Sequence, residues 1–428
     1  MLSGAQFPRV VCMWSLIAPI SSLLSGVALL LLGNGLLNTL LTLRGVAEGY
    51  STTMLGLIMS GYFVGFLLGT WLATPLVKRI GHIRVFACCA ALAAIAALLH
   101  LLLINPWVWL GLRVLYGLGL VTLYMVIESW LNAQAPNEKR GQVFAVYMAV
   151  NLGALALAQQ LLHLADPVQF TLFAIAAILI SAALMPITLT RQAQPSLPET
   201  PPSNLRQLWN IAPLAIIAAG LSGLAMGGFW GMAPVYASLA GFDTSGVGLL
   251  MTATILGGAL LQWPIGIYSD RHDRRQVLLW VVILAVALAL IMSLLPAGPL
   301  LLGAIFIWGG LAFAIYPIAV AQLIDQLHSD EILSGSASLL MVNGIGSVCG
   351  PLLAGLLMEQ LGASALPLYF ACTLGLLAAY TFYRLRHVSD LVSGDAAHFT
   401  PMLRTSPTVL ELMPDAPPHE STEETIQS

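Results

Sequence analysis

Long apolar runs, interrupted at intervals by charged or helix-ending residues, occupy the chain from about residue 16 to residue 384. A hydrocarbon core about 30 Å thick is crossed by roughly 20 apolar residues in helical form. Twelve runs reach that length, at about 16–43, 53–76, 83–104, 107–131, 141–164, 168–190, 210–238, 247–268, 277–296, 299–325, 333–358 and 364–384. They are continuous and do not alternate, so the pattern predicts helices and excludes a membrane β-barrel. The first run follows Arg9 but is too long for a signal-peptide core and lacks a small-residue cleavage site before Arg44. It reads as a retained first helix.

A polar, proline-rich stretch beginning at Gln192 separates the runs into six and six. The predicted organisation is a six-helix bundle over 1–191, a linker over 192–208, a second six-helix bundle over 209–386 and a tail over 387–428. The halves carry matching landmarks. Arg79 and Arg271 lie 192 residues apart, each after an even-numbered run, and Gly141 and Gly335 lie 194 apart. Two landmarks repeated at offsets that differ by only two residues are the mark of a duplicated unit. The expected fold is an all-α membrane protein of two pseudo-symmetric bundles, an architecture suited to alternating access with a site between the halves.

Composition supports this. Only 8% of the 428 residues are charged and 58% are hydrophobic, against about 25% charged in ordinary soluble domains. Too few charges are present to cover a water-soluble surface of this size. The net charge of −3 is unevenly spread, because Asp390, Asp395, Glu411, Asp415, Glu420, Glu423 and Glu424 face only Arg404 in the tail. The tail also holds Pro401, Pro407, Pro414, Pro417 and Pro418, and is expected to be disordered. No basic surface of the kind nucleic acid requires is present. The five cysteines lie in or beside apolar runs with no metal spacing, and read as small core residues.

Lysine and arginine gather on one side of the bundle. Lys78, Arg79 and Arg84 lie between runs 2 and 3, Lys139 and Arg140 between 4 and 5, and Arg271, Arg274 and Arg275 after run 8. Arg191, Arg206, Arg384 and Arg386 fall on the same side, whereas only Arg44 lies on the other. The positive-inside rule then places both termini in the cytoplasm.

The stretch Gly266-Ile-Tyr-Ser-Asp270-Arg271-His-Asp-Arg274-Arg275 resembles the G-x-x-x-D-R-x-x-R-R loop of the major facilitator superfamily. After run 2, Lys78-Arg79-Ile-Gly81-His82-Ile-Arg84 is similar, with Lys78 where that family usually has Asp. Arg113-Val-Leu-Tyr-Gly117 resembles the family's R-x-x-x-G in its fourth helix. Gly81 to Arg84, Glu128-Ser-Trp-Leu-Asn132 and the Tyr316-Pro317 to Asp325 stretch resemble its YcaD-type branch. The likeness spans roughly residues 14–386. It implies secondary transport in a bacterial inner membrane, with helices 1, 4, 5, 7, 10 and 11 around the substrate cavity, and it does not specify a substrate.

The loops suggest a latch. Asp270 ends run 8 and can accept from free N–H groups at the start of run 5, while Arg271 can pair with Glu138. In the first half Lys78 or Arg79 can pair with Asp330 or Glu331 ahead of run 11. The alternative is solvated loop charge of the ordinary positive-inside kind.

Ionisable groups at membrane depth are functional candidates by default. Three qualify: Arg113, Glu128 and Asp325. Arg113 lies about 9 Å inside run 4, and roughly 22 Å of helix separates it from Glu128, so these two cannot pair. Glu128 and Asp325 are the expected proton carriers, each near enough to a helix end for an interfacial role to compete. Uncharged polar residues recur at helical spacing: Asn34 and Asn38 in run 1, with Tyr147, Asn151, Gln159 and His163 in run 5. Such a row cannot face lipid without loss of hydrogen bonds, so it faces a wet cavity or another helix. By the resemblance, Asn34, Asn38, Tyr147, Asn151 and Gln159 are cavity residues, joined by Arg113 and, from the second half, Trp230, Tyr236, Tyr316, Gln322 and Asn343. Aromatic faces with amides suit a neutral or aromatic small molecule. His163 reads as structural.

Run 11 carries Gly346, Gly350, Pro351 and Gly355, a close-packing face with an invited kink; a similar motif on helix 5 of the resembled family marks antiporters, and by that resemblance its occurrence here on the repeat partner favours efflux. No enzyme constellation, metal site, cofactor motif or phosphate-binding loop occurs. The expected function is therefore secondary active transport of a small organic solute by a single chain in the inner membrane, as proton-coupled efflux. The alternatives are a proton-coupled uptake symporter or a non-transporting membrane sensor, for which the tail is the signalling part.

Overall fold

The computed structural model describes residues 7–136, 139–188, 195, 205–328, 331–387, 399–402 and 406–412. Among these, twelve helices are long and apolar enough to cross a bilayer. In the first half they are α1 (Phe7–Ala47), α2 (Thr52–Ile80), α3 (His82–Leu102), α4 (Pro106–Gln134), α5 (Arg140–Gln160) and α6 (Phe170–Ala182, continued by Leu184–Thr188). In the second half they are α7 (Pro213–Leu239), α8 (Thr244–Asp270), α9 (Arg274–Leu294), α10 (Pro299–Ile324), α11 (Ile332–Leu361) and α12 (Ala365–His387). Short helices cover Leu205–Ile211, which starts within the expected linker and runs past its end, and Leu161–Leu164 after α5. The rest of the linker, apart from Pro195, lies outside the described residues.

Helix starts follow from side-chain oxygens that satisfy free backbone donors. Ser51 accepts from Met54 N ahead of α2, and Asn105 from Trp107 N and Val108 N ahead of α4. Asp243 accepts from Gly246 N at α8, and Asp273 from Arg275 N at α9. Large apolar side chains such as Trp71, Leu72, Trp263, Trp280 and Leu294 are exposed on the wall that lipid would cover.

The duplication is written into the packing. A Cβ on Gly65 of α2 would lie 1.9 Å from Val114 O of α4, and one on Gly117 of α4 would lie 2.1 Å from Tyr62 O. In the second half Gly257 of α8 meets Phe306 O of α10 at 1.8 Å, and Gly309 meets Thr254 O at 2.3 Å. Adding 192 to each residue number of the first two contacts gives the second two. Only glycine lets these backbones approach so closely. One position is swapped: Gly69 packs on Leu118, while the equivalent pair is Leu261 against Gly310. Space opened by glycine on one helix is opened on its partner in the repeat.

Two faces of the molecule differ. The face bearing Lys78, Arg79, Lys139, Arg140 and Arg271 is called the basic face. On the opposite face the halves are sealed together. There a Cβ on Gly56 of α2 would lie 2.4 Å from Pro351 O of α11, and one on Gly355 would lie 2.4 Å from Thr52 O. Thr52 Oγ1 donates to Gly355 O at 2.9 Å, and Thr53 N to Glu359 Oε2 at 3.0 Å. Between α5 and α8, Gln160 Nε2 donates to Thr252 Oγ1 at 2.7 Å, and Ser245 Oγ and His163 Nδ1 are 3.0 Å apart.

Gly346 and Gly350 close-pack on Gly220 and Leu224 of α7, within one half. The glycine face of α11 therefore holds its bundle together on one side and joins the seal through Gly355 on the other.

At the basic face the space between the halves is filled by the tail. Pro407–Leu412 forms a 3₁₀ turn that packs against α4 and α5 on one side and α11 on the other. The expectation of a disordered tail is corrected for residues 399–402 and 406–412. Met402, Ser406, Thr408 and Val409 are buried against the bundles, because an extended, proline-punctuated segment can fill a groove it could not build alone.

Candidate functional site

A cavity of about 1000 Å³, counting its mouth, lies between the halves. It is lined from α1 by Asn34 and Asn38, from α2 by Met59, Tyr62, Phe63 and Phe66, from α4 by Arg113 and Tyr124, and from α5 by Asn151 and Leu155. The second half adds Ser222, Met226, Trp230, Ala312, Phe313, Tyr316, Asn343 and Ser347, and the tail adds Met402.

Among the described residues, Arg113 is the sole formally charged one in that lining. Its side chain is fully buried, and Nη2 donates to Asn38 Oδ1 at 2.7 Å. Nε and Nη1 have no hydrogen-bond partner among the described residues. The guanidinium carbon lies 4.6 Å from the Tyr62 ring centre and 5.5 Å from that of Tyr116, cation–π distances that partly offset the lost hydration. A buried charge without a counter-ion costs several kcal/mol, so an anionic guest would relieve it.

Seven of the expected cavity residues are brought together here: Asn34, Asn38, Arg113, Asn151, Trp230, Tyr316 and Asn343. Asn34 Oδ1 is buried without a partner, Asn151 Nδ2 donates to Tyr147 O at 2.7 Å, and Asn343 Nδ2 donates to Ala219 O at 3.0 Å. The other four lie elsewhere, a correction to their expected place. Gln159 bridges helices, accepting from Thr39 Oγ1 at 2.7 Å and reaching Gly35 O of α1. Tyr236 is buried in α7, and Gln322 is buried at the basic end of α10 with neither amide atom paired. Tyr147 OH donates to Glu128 Oε1 at 2.7 Å. Missing from the expectation were Met59, Tyr62, Phe63 and Phe66, whose i, i+3, i+4, i+7 spacing reads as an ordinary core stripe.

Glu128 lies fully buried at the basic end of α4. Besides Tyr147, its carboxylate accepts from Ser406 Oγ and, at 3.0 Å, from Thr408 Oγ1 of the tail. Asp325 is arranged differently. Arg274 Nε donates to Asp325 Oδ2 at 2.7 Å, and Arg274 Nη1 to Asp270 Oδ1 at 3.1 Å. An arginine fork between two carboxylates holds this cluster, and Asp325, expected as a proton carrier, is not among the residues lining the cavity.

The residues expected to form a latch are placed as follows. Asp270 is engaged by Arg274 and by Phe399 N of the tail at 2.8 Å, in place of the start of α5. Lys78, Arg79 and Arg271 are exposed, Glu331 is half-buried, and Glu138 and Asp330 lie outside the described residues.

A family model of the Major Facilitator Superfamily matches residues 23–246 and again residues 215–412. The chain belongs to this superfamily. An uncharacterised MFS-type transporter of Yersinia pestis (strain Pestoides F) is 30% identical over 351 residues, covering 80% of this chain and 89% of that protein. The YcaD transporter of Escherichia fergusonii is 29% identical over 381 residues, covering 88% and 98%.

Among solved structures, a point mutant of the nucleoside transporter NupG superposes with a TM-score of 0.73 at 16% identity, covering 85% of this chain and 98% of that one. A bacterial homologue of the human lysosomal transporter Spinster, inward-facing and unoccupied, gives 0.70 at 14% identity, covering 86% and 97%. The family model matches the chain twice, in overlapping ranges that begin near the start of each half, and glycine contacts recur between the halves at an interval of 192. This superfamily member is a multi-pass secondary transporter and not an enzyme.

Proposed function

We propose that this transporter exports a small organic acid with an apolar or aromatic body across the bacterial inner membrane, in exchange for protons. The basic face is cytoplasmic, both termini lie there, and a single chain suffices. The carrying observation is Arg113, which among the described residues has two nitrogens without a hydrogen-bond partner in a cavity lined by no carboxylate. Bidentate pairing with a carboxylate matches the guanidinium fork. The sequence favoured a neutral guest; the uncompensated buried charge favours an anion. Aromatic rings from α2, α7 and α10 would take its body. An inside-negative potential drives an anion outward by about 2.3 kcal/mol per charge per 100 mV, which favours export.

Glu128 supplies the proton site. It sits on α4 with Arg113, at the other end of one rigid helix, so proton and solute do not meet. Their coupling is conformational, through rocking of the second half against the first.

Flux into reconstituted vesicles tests this. Aromatic carboxylic acids are expected to move under an imposed pH gradient while their neutral amides do not; equal rates for acid and amide would overturn the assignment. Glu128→Gln is expected to abolish gradient-driven flux while leaving solute-for-solute exchange intact, as counterflow assays would reveal.

A further inference from the structure

We infer that the vestibule around Glu128 is a peptide-binding site whose occupant is the chain's own tail, and that its occupancy shuts the transport path. Three attachments on different helices carry this. First, Phe399 N donates to Asp270 Oδ1 at 2.8 Å, and the Phe399 ring lies so close to α8 that a Cβ on Gly266 would come within 2.0 Å of it. Second, Met402 is 5% exposed and lines the central cavity beside the residues of both halves. Third, Ser406 and Thr408 both donate to Glu128, and Asn132 Nδ2 donates to Thr408 O at 3.0 Å.

The arrangement is specific in its chemistry. A carboxylate inside a membrane protein needs donors, and the tail brings two hydroxyls two residues apart, with the intervening Pro407 half-buried. Glu128 and Asn132 lie four apart on α4 and therefore present one face, to which hydroxyl and backbone carbonyl of the same tail residue bind. The turn Pro407–Leu412 contacts α4, α5 and α11, so it spans the gap between halves that must close when the opposite face opens. A bound tail holds the halves apart at the basic face and covers the entrance to the cavity. Its hydroxyls also occupy the proposed proton site, a consequence that rests on the reading above.

The test reads the tail without any transported solute, so its outcome is independent of the substrate assignment. In a background with native cysteines replaced, Ser222→Cys places a thiol in the cavity wall. Labelling by a bulky, membrane-impermeant maleimide from the basic face of inside-out vesicles reports entry. Removing residues 399–428 is expected to speed labelling on the order of tenfold, as for a site freed from a bound lid. A synthetic peptide of residues 399–412 added in excess is expected to slow it again. The full-length double variant Ser406→Ala, Thr408→Ala is expected to give an intermediate rate, and serves if the truncated chain is unstable. Unchanged or slower labelling in either variant, or no effect of the peptide on the truncated chain, would overturn the inference.

Discussion

Replacing Arg113 with glutamine is expected to lower transport of the organic acid by roughly two to four orders of magnitude, as loss of a buried charge partner worth about 3–5 kcal/mol implies. The side chain is fully buried, is held by Asn38, and keeps two nitrogens unpaired. Glutamine fills part of the space but offers neither charge nor fork. Arg113→Lys retains the charge as a point ammonium and is expected to fall between the two. Initial rates and equilibrium binding in reconstituted vesicles give the answer. The same substitution is expected to leave thermal stability in detergent unchanged or raised, because it removes an uncompensated charge from the interior. A stable Gln variant with near-native flux of the acid would remove Arg113 from the site; an unfolded one would mark the guanidinium as structural.

Enlarging Gly56 to valine is expected to hold the transporter open toward the opposite face. A Cβ there would meet Pro351 O of the other half at 2.4 Å, and a backbone oxygen cannot yield as a side-chain tip can. The contact exists only while that face is sealed, so the cost falls on one conformation alone. A clash of about 1–3 kcal/mol shifts a two-state balance roughly 5- to 150-fold. Thiol labelling at Ser222→Cys is expected to become fast from the opposite face and slow from the basic face. Gly65→Ala is the control. Its new Cβ would meet Val114 O at 1.9 Å inside the first half, where both conformations suffer alike. It is expected to lower the melting temperature without moving the labelling pattern. Identical labelling for Gly56→Val and wild type would show that the α2–α11 contact does not control access.

How far the sequence reaches can be judged helix by helix. The number of spans, the two halves and the interval of 192 follow from apolar length, charge and glycine placement, which are local or periodic signals. The face of α5 was also legible, since Asn151 does line the cavity. Its extent was not. Gln159 lies two turns further on the same row but falls where α5 is sealed to α8, so it packs against Thr39 instead. Periodicity fixes which way a side chain points and not where two bundles part. Asp325 illustrates a second limit: its partner Arg274 lies 51 positions away, and nothing local distinguishes it from Arg271. The tail illustrates a third. Proline and acidic residues mark Ser406 and Thr408 as belonging to a chain unable to fold alone, and their order comes from Glu128, some 280 positions earlier.

The interval of 192 that relates the halves breaks down at one decisive place. The counterpart of Arg113 is Ile305, an apolar side chain buried in α10. The scaffold is twofold but its charge is single, so cargo can be gripped by its head in one half only. Through each swing the acid would stay fastened to the first bundle while the second slides over its greasy end. Entry from the basic face then runs head first, and molecules acidic at both ends would leave one end stranded against oil.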